Sequence, residues 1–100
     1  MLTHKDLGIW KLGIELVEGV YKITAKFLKE EAYGLTSQMR RAVTSIPSNI
    51  YVSLGSLAEI DTQIFIAERL GYINDHQLTE LIEKLRRKLL NFIKYIRTTK

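Results

Sequence analysis

Few side chains in this sequence could do covalent or acid–base chemistry, and their spacing does not assemble a site. His4 and His76 are the only histidines, and no HExxH or paired spacing places two of them on one metal. There is no cysteine, which excludes disulfides, thiolate zinc sites and thiol nucleophiles. Glu30 and Glu31 are adjacent in a polar stretch and read as solvated. Glu59 and Asp61 are two apart, so on a helix they point in different directions. Ser45, Ser48 and Ser53 have no base motif beside them. No glycine-rich phosphate loop is present. The expectation is a protein that is not an enzyme and carries no cofactor and no metal.

Two polar groups do call for an account. Net charge is +4, and it is unevenly placed: seven basic residues and no acidic one lie between Lys84 and Lys100. At helical spacing, Lys84, Arg87, Lys88, Asn91 and Lys94 form one strip, with Arg86 and Arg97 at its flanks and Tyr95 among the charges. Such a strip suits phosphate contacts. It lacks any motif that reads bases, so binding of RNA or DNA would be backbone-led and salt-sensitive. The plain alternative is a solvated helix face. An anionic membrane surface is disfavoured, because the apolar side of the same helix is committed to a core.

The second group is Gln38, Arg40, Arg41, Thr44, Ser45, Ser48 and Asn49. Serine and asparagine have no propensity reason to sit in a helix. Either they satisfy one another and nearby carbonyls, or Gln38, Arg40, Arg41, Ser45 and Asn49 form a ligand or subunit contact that uses arginine forks.

Helices must position both groups. With 6 glycines and 1 proline in 100 residues, long unbroken elements are expected in a single domain, residues 1–100. No stretch approaches the roughly 18 apolar residues of a membrane span. The first helix should run from about Asp6 to Phe27 with two stripes. Leu7, Trp10, Ile14, Val17, Tyr21, Thr24 and Leu28 form one; Ile9, Gly13, Leu16, Val20, Ile23 and Phe27 form the other. Two faces exceed what a lone bundle needs, so the second stripe is expected to be buried between subunits, together with the segment around Arg40 and Arg41, the alternative being a helix sunk deep in its own bundle. Lys29–Gly34 reads as a polar connector, with Thr36 or Ser37 capping a second helix that Pro47 should kink. A third helix carries Leu54, Leu57, Ile60, Ile64 and Ala67 and ends at a Gly71 cap. Asn74 or Asp75 caps the last, whose stripe is Leu78, Leu81, Ile82, Leu85, Leu89, Phe92, Ile93 and Ile96.

The run from Gly34 to Ile50 reads Gly-Leu-Thr-Ser-Gln-Met-Arg-Arg-Ala-Val-Thr-Ser-Ile-Pro-Ser-Asn-Ile. It closely resembles the hallmark segment of the bacterial proteins encoded by intervening sequences of 23S ribosomal RNA genes. Asp6, Leu7 and Trp10, with Leu16, Val17, Tyr21 and Lys22, resemble that family's first helix. Leu54-Gly55-Ser56-Leu57-Ala58-Glu59, Thr62-Gln63 and Leu70-Gly71-Tyr72 resemble its third helix and the following turn. The resemblance implies an all-α, antiparallel up-down four-helix bundle that assembles as a homopentamer, and the lack of cysteine fits a cytoplasmic protein. The resemblance also implies kinship with accessory proteins of diversity-generating retroelements, which bind nucleic acid and a reverse transcriptase.

The sequence departs from that pattern after Ile50, where about twenty residues of the family are absent. Helical phase continues straight from Ile46 through Ile50, Leu54 and Leu57 with no turn signal. The expectation is therefore a segment missing between Ile50 and Tyr51, the alternative being one long kinked helix from Thr36 to Leu70. Two functional readings follow: an oligomeric bundle that binds structured RNA, or a protein–protein adaptor with a merely solubilising basic strip.

Overall fold

The computed structural model describes residues 4–27, 29–48, 50–73 and 77–98; the side chains of 4–6, 29–32, 48, 50 and 51 are not among what it describes. Helix α1 spans His4–Thr24, α2 Lys29–Thr44, α3 Ile50–Arg69 and α4 Gln77–Thr98, with a 3-10 turn at Ile46–Ser48 between α2 and α3. No strand occurs among the described residues. Consecutive helices pack side by side, α1 closes against α4, and among the described residues no close backbone approach joins the diagonal pairs. Short connections between packed neighbours force each helix to run back along the last, so the fold is an up-down four-helix bundle.

The core is built from one stripe of each helix. Leu16 and Val20 of α1, Met39 and Val43 of α2, Leu57, Ile60 and Ile64 of α3, and Ile82, Leu85 and Leu89 of α4 are sealed from solvent. Each set recurs at spacings of three, four or seven, which stacks its members over one another on a helix of 3.6 residues per turn.

This assigns the two stripes of α1. The core stripe is the one with Ile9, Gly13, Leu16, Val20, Ile23 and Phe27: Ile9, Leu16, Val20 and Phe27 are buried, and Ile23 packs against the cluster. The other stripe lies on the flank towards α2 and leaves Leu7, Trp10 and Tyr21 exposed. The expectation that the Ile9–Phe27 stripe lies between subunits fails: the chain's own core buries it. Gly13 is small where the turn arrives: an added Cβ would stand 3.5 Å from Ile46 Cγ2 and 3.6 Å from Pro47 Cγ. That contact sets the α2–α3 turn against the middle of α1. Trp10 and Leu7 therefore lie about one and two turns beyond the end of α2, and both are exposed.

Helix α2 begins earlier than its sequence suggests. Lys29–Gly34, expected as a connector, is its first turn and a half, and Thr36 and Ser37 are interior to it. The real turn is Ala25–Phe27, where the Lys26 and Phe27 amides donate to the carbonyls of Ile23 and Thr24 at 3.1 Å each. Gly34 is exposed in the helix, so its cost is propensity alone, about 1 kcal/mol.

The chain turns before Ile50. Pro47 lacks a backbone donor and cannot continue α2. Ser45 Oγ donates to the Ala42 carbonyl at 2.7 Å, and Ser53 Oγ donates to the Ile46 carbonyl at 2.6 Å, so two hydroxyls satisfy oxygens that the break exposes. Ile46 stays buried inside the turn. Helix α3 then runs without interruption through Ile50 and Tyr51. Four helices thus form from this chain as it stands. The expected missing segment between those two residues gives way to a tight turn some residues earlier, and the fused-helix alternative fails at the same place.

Helix α3 ends as its Gly71 suggested. Gly71 has φ +81°, a left-handed conformation open to glycine. The Tyr72 amide donates to the Ala67 carbonyl at 2.9 Å and the Gly71 amide to Glu68 at 3.0 Å, the paired bonds of a Schellman cap. Tyr72 then meets Phe27 with ring centres 5.2 Å apart, tying the α3–α4 connection to the α1–α2 connection at the same end of the bundle. The expected caps Asn74 and Asp75 lie outside the described residues.

Candidate nucleic-acid interface

Helix α4 divides most sharply into two faces. Leu78, Ile82, Leu85, Leu89, Phe92 and Ile93 are buried. Lys84, Arg87, Lys88, Asn91, Lys94 and Arg97 are all exposed. From Lys84 to Arg97 the strip covers about 20 Å along the axis, at 1.5 Å per residue. No acidic side chain interrupts this stretch. Tyr95 is exposed at its edge and stacks on Phe92, with ring centres 6.3 Å apart. The strip is a solvated row of long cations on a rigid rod, which suits a polyanion better than a single small anion.

Arg86 stands apart from the strip. It turns to the α3 side, half-buried, where it pairs with Asp61 at 3.6 Å and with Glu83 one turn back. Its charge joins α3 to α4. The sequence placed Arg86 only at the flank, and the partner that holds it is Asp61, a residue that sequence reasoning considered only as a carboxylate near Glu59. No local signal links Asp61 to Arg86, because the pair forms only once the α3–α4 hairpin closes.

The second polar group separates in the same way. Arg40 reaches α1: its Nε donates to Thr24 Oγ1 at 2.9 Å, and its guanidinium carbon lies 4.5 Å from the Tyr21 ring centre. Thr24 Oγ1 in turn donates to the Val20 carbonyl at 2.8 Å. Arg40 therefore braces α1 against α2 within one chain. Ser45 belongs to the turn, and its hydroxyl also meets Ser56 Oγ of α3. Gln38 and Arg41 point outward and are exposed. Asn49 and the side chains of Glu30 and Glu31 lie outside the described residues. So the set does not converge on one point: Arg40 and Ser45 hold the fold, while Gln38 and Arg41 are left on the surface. The signal that could have found the Arg40 brace was Thr24, the one polar member of an apolar stripe.

No group of three or more His, Asp or Glu among the described residues could hold a metal ion. No described helix is long and apolar enough to cross a membrane.

Comparison with known proteins fits this architecture in part. Residues 5–51 match the family model described as 23S rRNA-intervening sequence protein. The match takes in nearly all of α1, then α2 and the turn, and stops at the second residue of α3, so the basic strip lies outside it. No curated protein matches the chain.

Proposed function

We propose that this is a non-catalytic member of the 23S rRNA-intervening-sequence family that self-associates and binds structured RNA through phosphate contacts made by α4. The observation that carries this reading is the outer face of α4: Lys84, Arg87, Lys88, Lys94 and Arg97 are exposed in a row that no carboxylate interrupts. Arg86, spent on Asp61, contributes less. With about five cations in reach of phosphates, counterion release predicts a logarithmic salt slope near −4. Without groups aimed at base edges, affinity follows backbone geometry and varies little with sequence. The resemblance supports assembly as a ring, which would repeat the strip around an axis and raise affinity by avidity.

Fluorescence anisotropy against a labelled RNA hairpin, across a salt series, tests the reading. The expected result is binding that weakens steeply with salt and collapses when Lys84, Arg87, Lys88 and Lys94 are all changed to Gln. No binding at low salt, or equal binding by that variant, refutes it and turns the search to a protein partner.

A further inference from the structure

The cations of α4 share their face with an aromatic ring. Tyr95 continues a row of Lys84, Lys88 and Asn91 at spacings of four, three and four, so these side chains stand over one another along the outside of the helix. At 1.5 Å per residue, Tyr95 lies about 10 Å beyond Lys88. Arg87 and Lys94 flank the row, and every one of these residues is exposed.

The ring is held in place. Phe92 is buried one turn back, and Tyr95 lies nearly parallel to it, at 17° with ring centres 6.3 Å apart. This is offset stacking on a group anchored in the core, and it fixes the plane of the Tyr95 ring. Tyr95 is nonetheless 44% exposed, so an oriented aromatic surface is left open among the cations. Two other exposed tyrosines are placed differently. Tyr21 already carries the Arg40 guanidinium, and Tyr33 lies on α2, the helix diagonal to α4.

An aromatic surface among cations suits one component of a nucleic acid. Every base has a flat π face that stacks on a ring, and its backbone phosphate can be held by a neighbouring lysine. In a fully paired helix those faces are hidden inside the stack. An unpaired base in a loop, a bulge or a strand end can turn out onto a side chain. We infer that Tyr95 stacks on an unpaired base, so that α4 takes RNA with a looped or single-stranded segment in preference to a perfect duplex. The inference rests on the phosphate-binding reading of α4 and deepens it by naming the part of the RNA that is held. An apolar protein side chain is a poorer occupant, because seating it here would desolvate Lys88 and Lys94 without supplying a counter-charge. Stacking tolerates any base, so Tyr95 selects RNA by structure and not by sequence.

Anisotropy of the full chain with two labelled RNAs tests it: a duplex closed by a loop of adenosines, and the same duplex closed by a loop of abasic nucleotides. The two carry the same phosphates and differ in the loop bases alone. The wild type should bind the adenosine loop about ten-fold more tightly, with one salt slope for both, since the phosphate contacts are the same. Tyr95→Leu should lower the adenosine loop to the abasic level and leave abasic binding unchanged. Tyr95→Phe keeps the ring and should keep the preference. The wild-type comparison needs no variant, so it decides the matter even if Tyr95→Leu fails to fold. No binding of either RNA at low salt overturns both this inference and the phosphate reading. Equal binding of the two by the wild type, a preference that survives Tyr95→Leu, or one that Tyr95→Phe abolishes overturns the stacking contact alone.

Discussion

Helices α3 and α4 are similar in length and pack against each other, yet their outer faces follow opposite rules. In α4, every position turned away from the core between Lys84 and Lys88 is charged. In α3, the exposed positions are Val52, Gly55, Ala58, Thr62, Phe65 and Ile66, with Leu70 just past its end, and with one acid, Glu59, and one base, Arg69. A helix in a monomeric bundle needs only one apolar stripe. Helix α4 obeys that economy and spends its second face on cations; α3 spends its second face on more apolar surface. The difference separates a face of cations from one that is largely apolar.

The largest expected effect on function probes the cationic face. The four-fold Gln variant of α4 should weaken RNA binding by at least about 100-fold at low salt, since each lost phosphate contact also removes a counterion released. Its unfolding midpoint in urea should barely move, because those side chains touch nothing in the core. A large loss of stability would mean that α4 is not divided as described.

The largest effect on stability lies on the opposite face of the same helix. Leu85 is fully buried, and Leu85→Ala should cost about 3 kcal/mol by leaving a cavity. Ile66→Ala on α3 should cost less than about 1 kcal/mol, because that side chain is exposed. Urea denaturation of the two variants measures both costs. Equal costs would erase the contrast between the helices.

Glycines sharpen the comparison further. An added Cβ at Gly19 would stand 2.6 Å from Leu78 Cδ2, so Gly19→Ala forces that side chain to move and should destabilise by about 1 kcal/mol despite its better helix propensity. Nothing lies within 4 Å of an added Cβ at Gly55 on α3, so Gly55→Ala should stabilise by about 0.5–1 kcal/mol. Thermal denaturation of the two variants should move in opposite directions.

The smallest effect belongs to the seam between the two helices. Arg86→Gln removes a half-buried ion pair with Asp61 and should cost about 0.5 kcal/mol. It should lower RNA affinity less than Lys88→Gln does. An equal or greater loss would return Arg86 to the binding strip.

What could be read from residues alone follows the same divide. Helix α4 was legible because its apolar stripe and its charges are segregated, leaving one way to bury it. The Gly71 cap was legible because its glycine follows directly on the apolar phase. The start of α2 was hidden: Lys29–Gly34 is polar and ends in glycine, and only packing further along the helix makes that stretch helical. The turn at Ser45–Ser48 was hidden for the opposite reason, since Ile46 fills the core from a non-helical position and keeps the apolar rhythm intact. In α1 both stripes were visible, but only the position of α2 reveals which one is interior. The basic strip was read in full except for Arg86, whose tertiary partner the sequence does not announce, and the Arg40 brace escaped because it spans two helices.

The stagger of α1 past the end of α2 has a hydrodynamic consequence. The molecule measures 50 × 20 × 17 Å, longer than the roughly 33 Å of its longest helix, and its radius of gyration of 14.2 Å exceeds the value of about 13 Å for a compact chain of this length. A rod of these proportions tumbles and diffuses more slowly than a sphere of equal mass. It elutes early from a sizing column, where a single chain can pass for a somewhat heavier one. Its fluorescence anisotropy likewise starts high before any ligand is added, so the number of chains in solution has to come from mass, by sedimentation or light scattering, and not from apparent size.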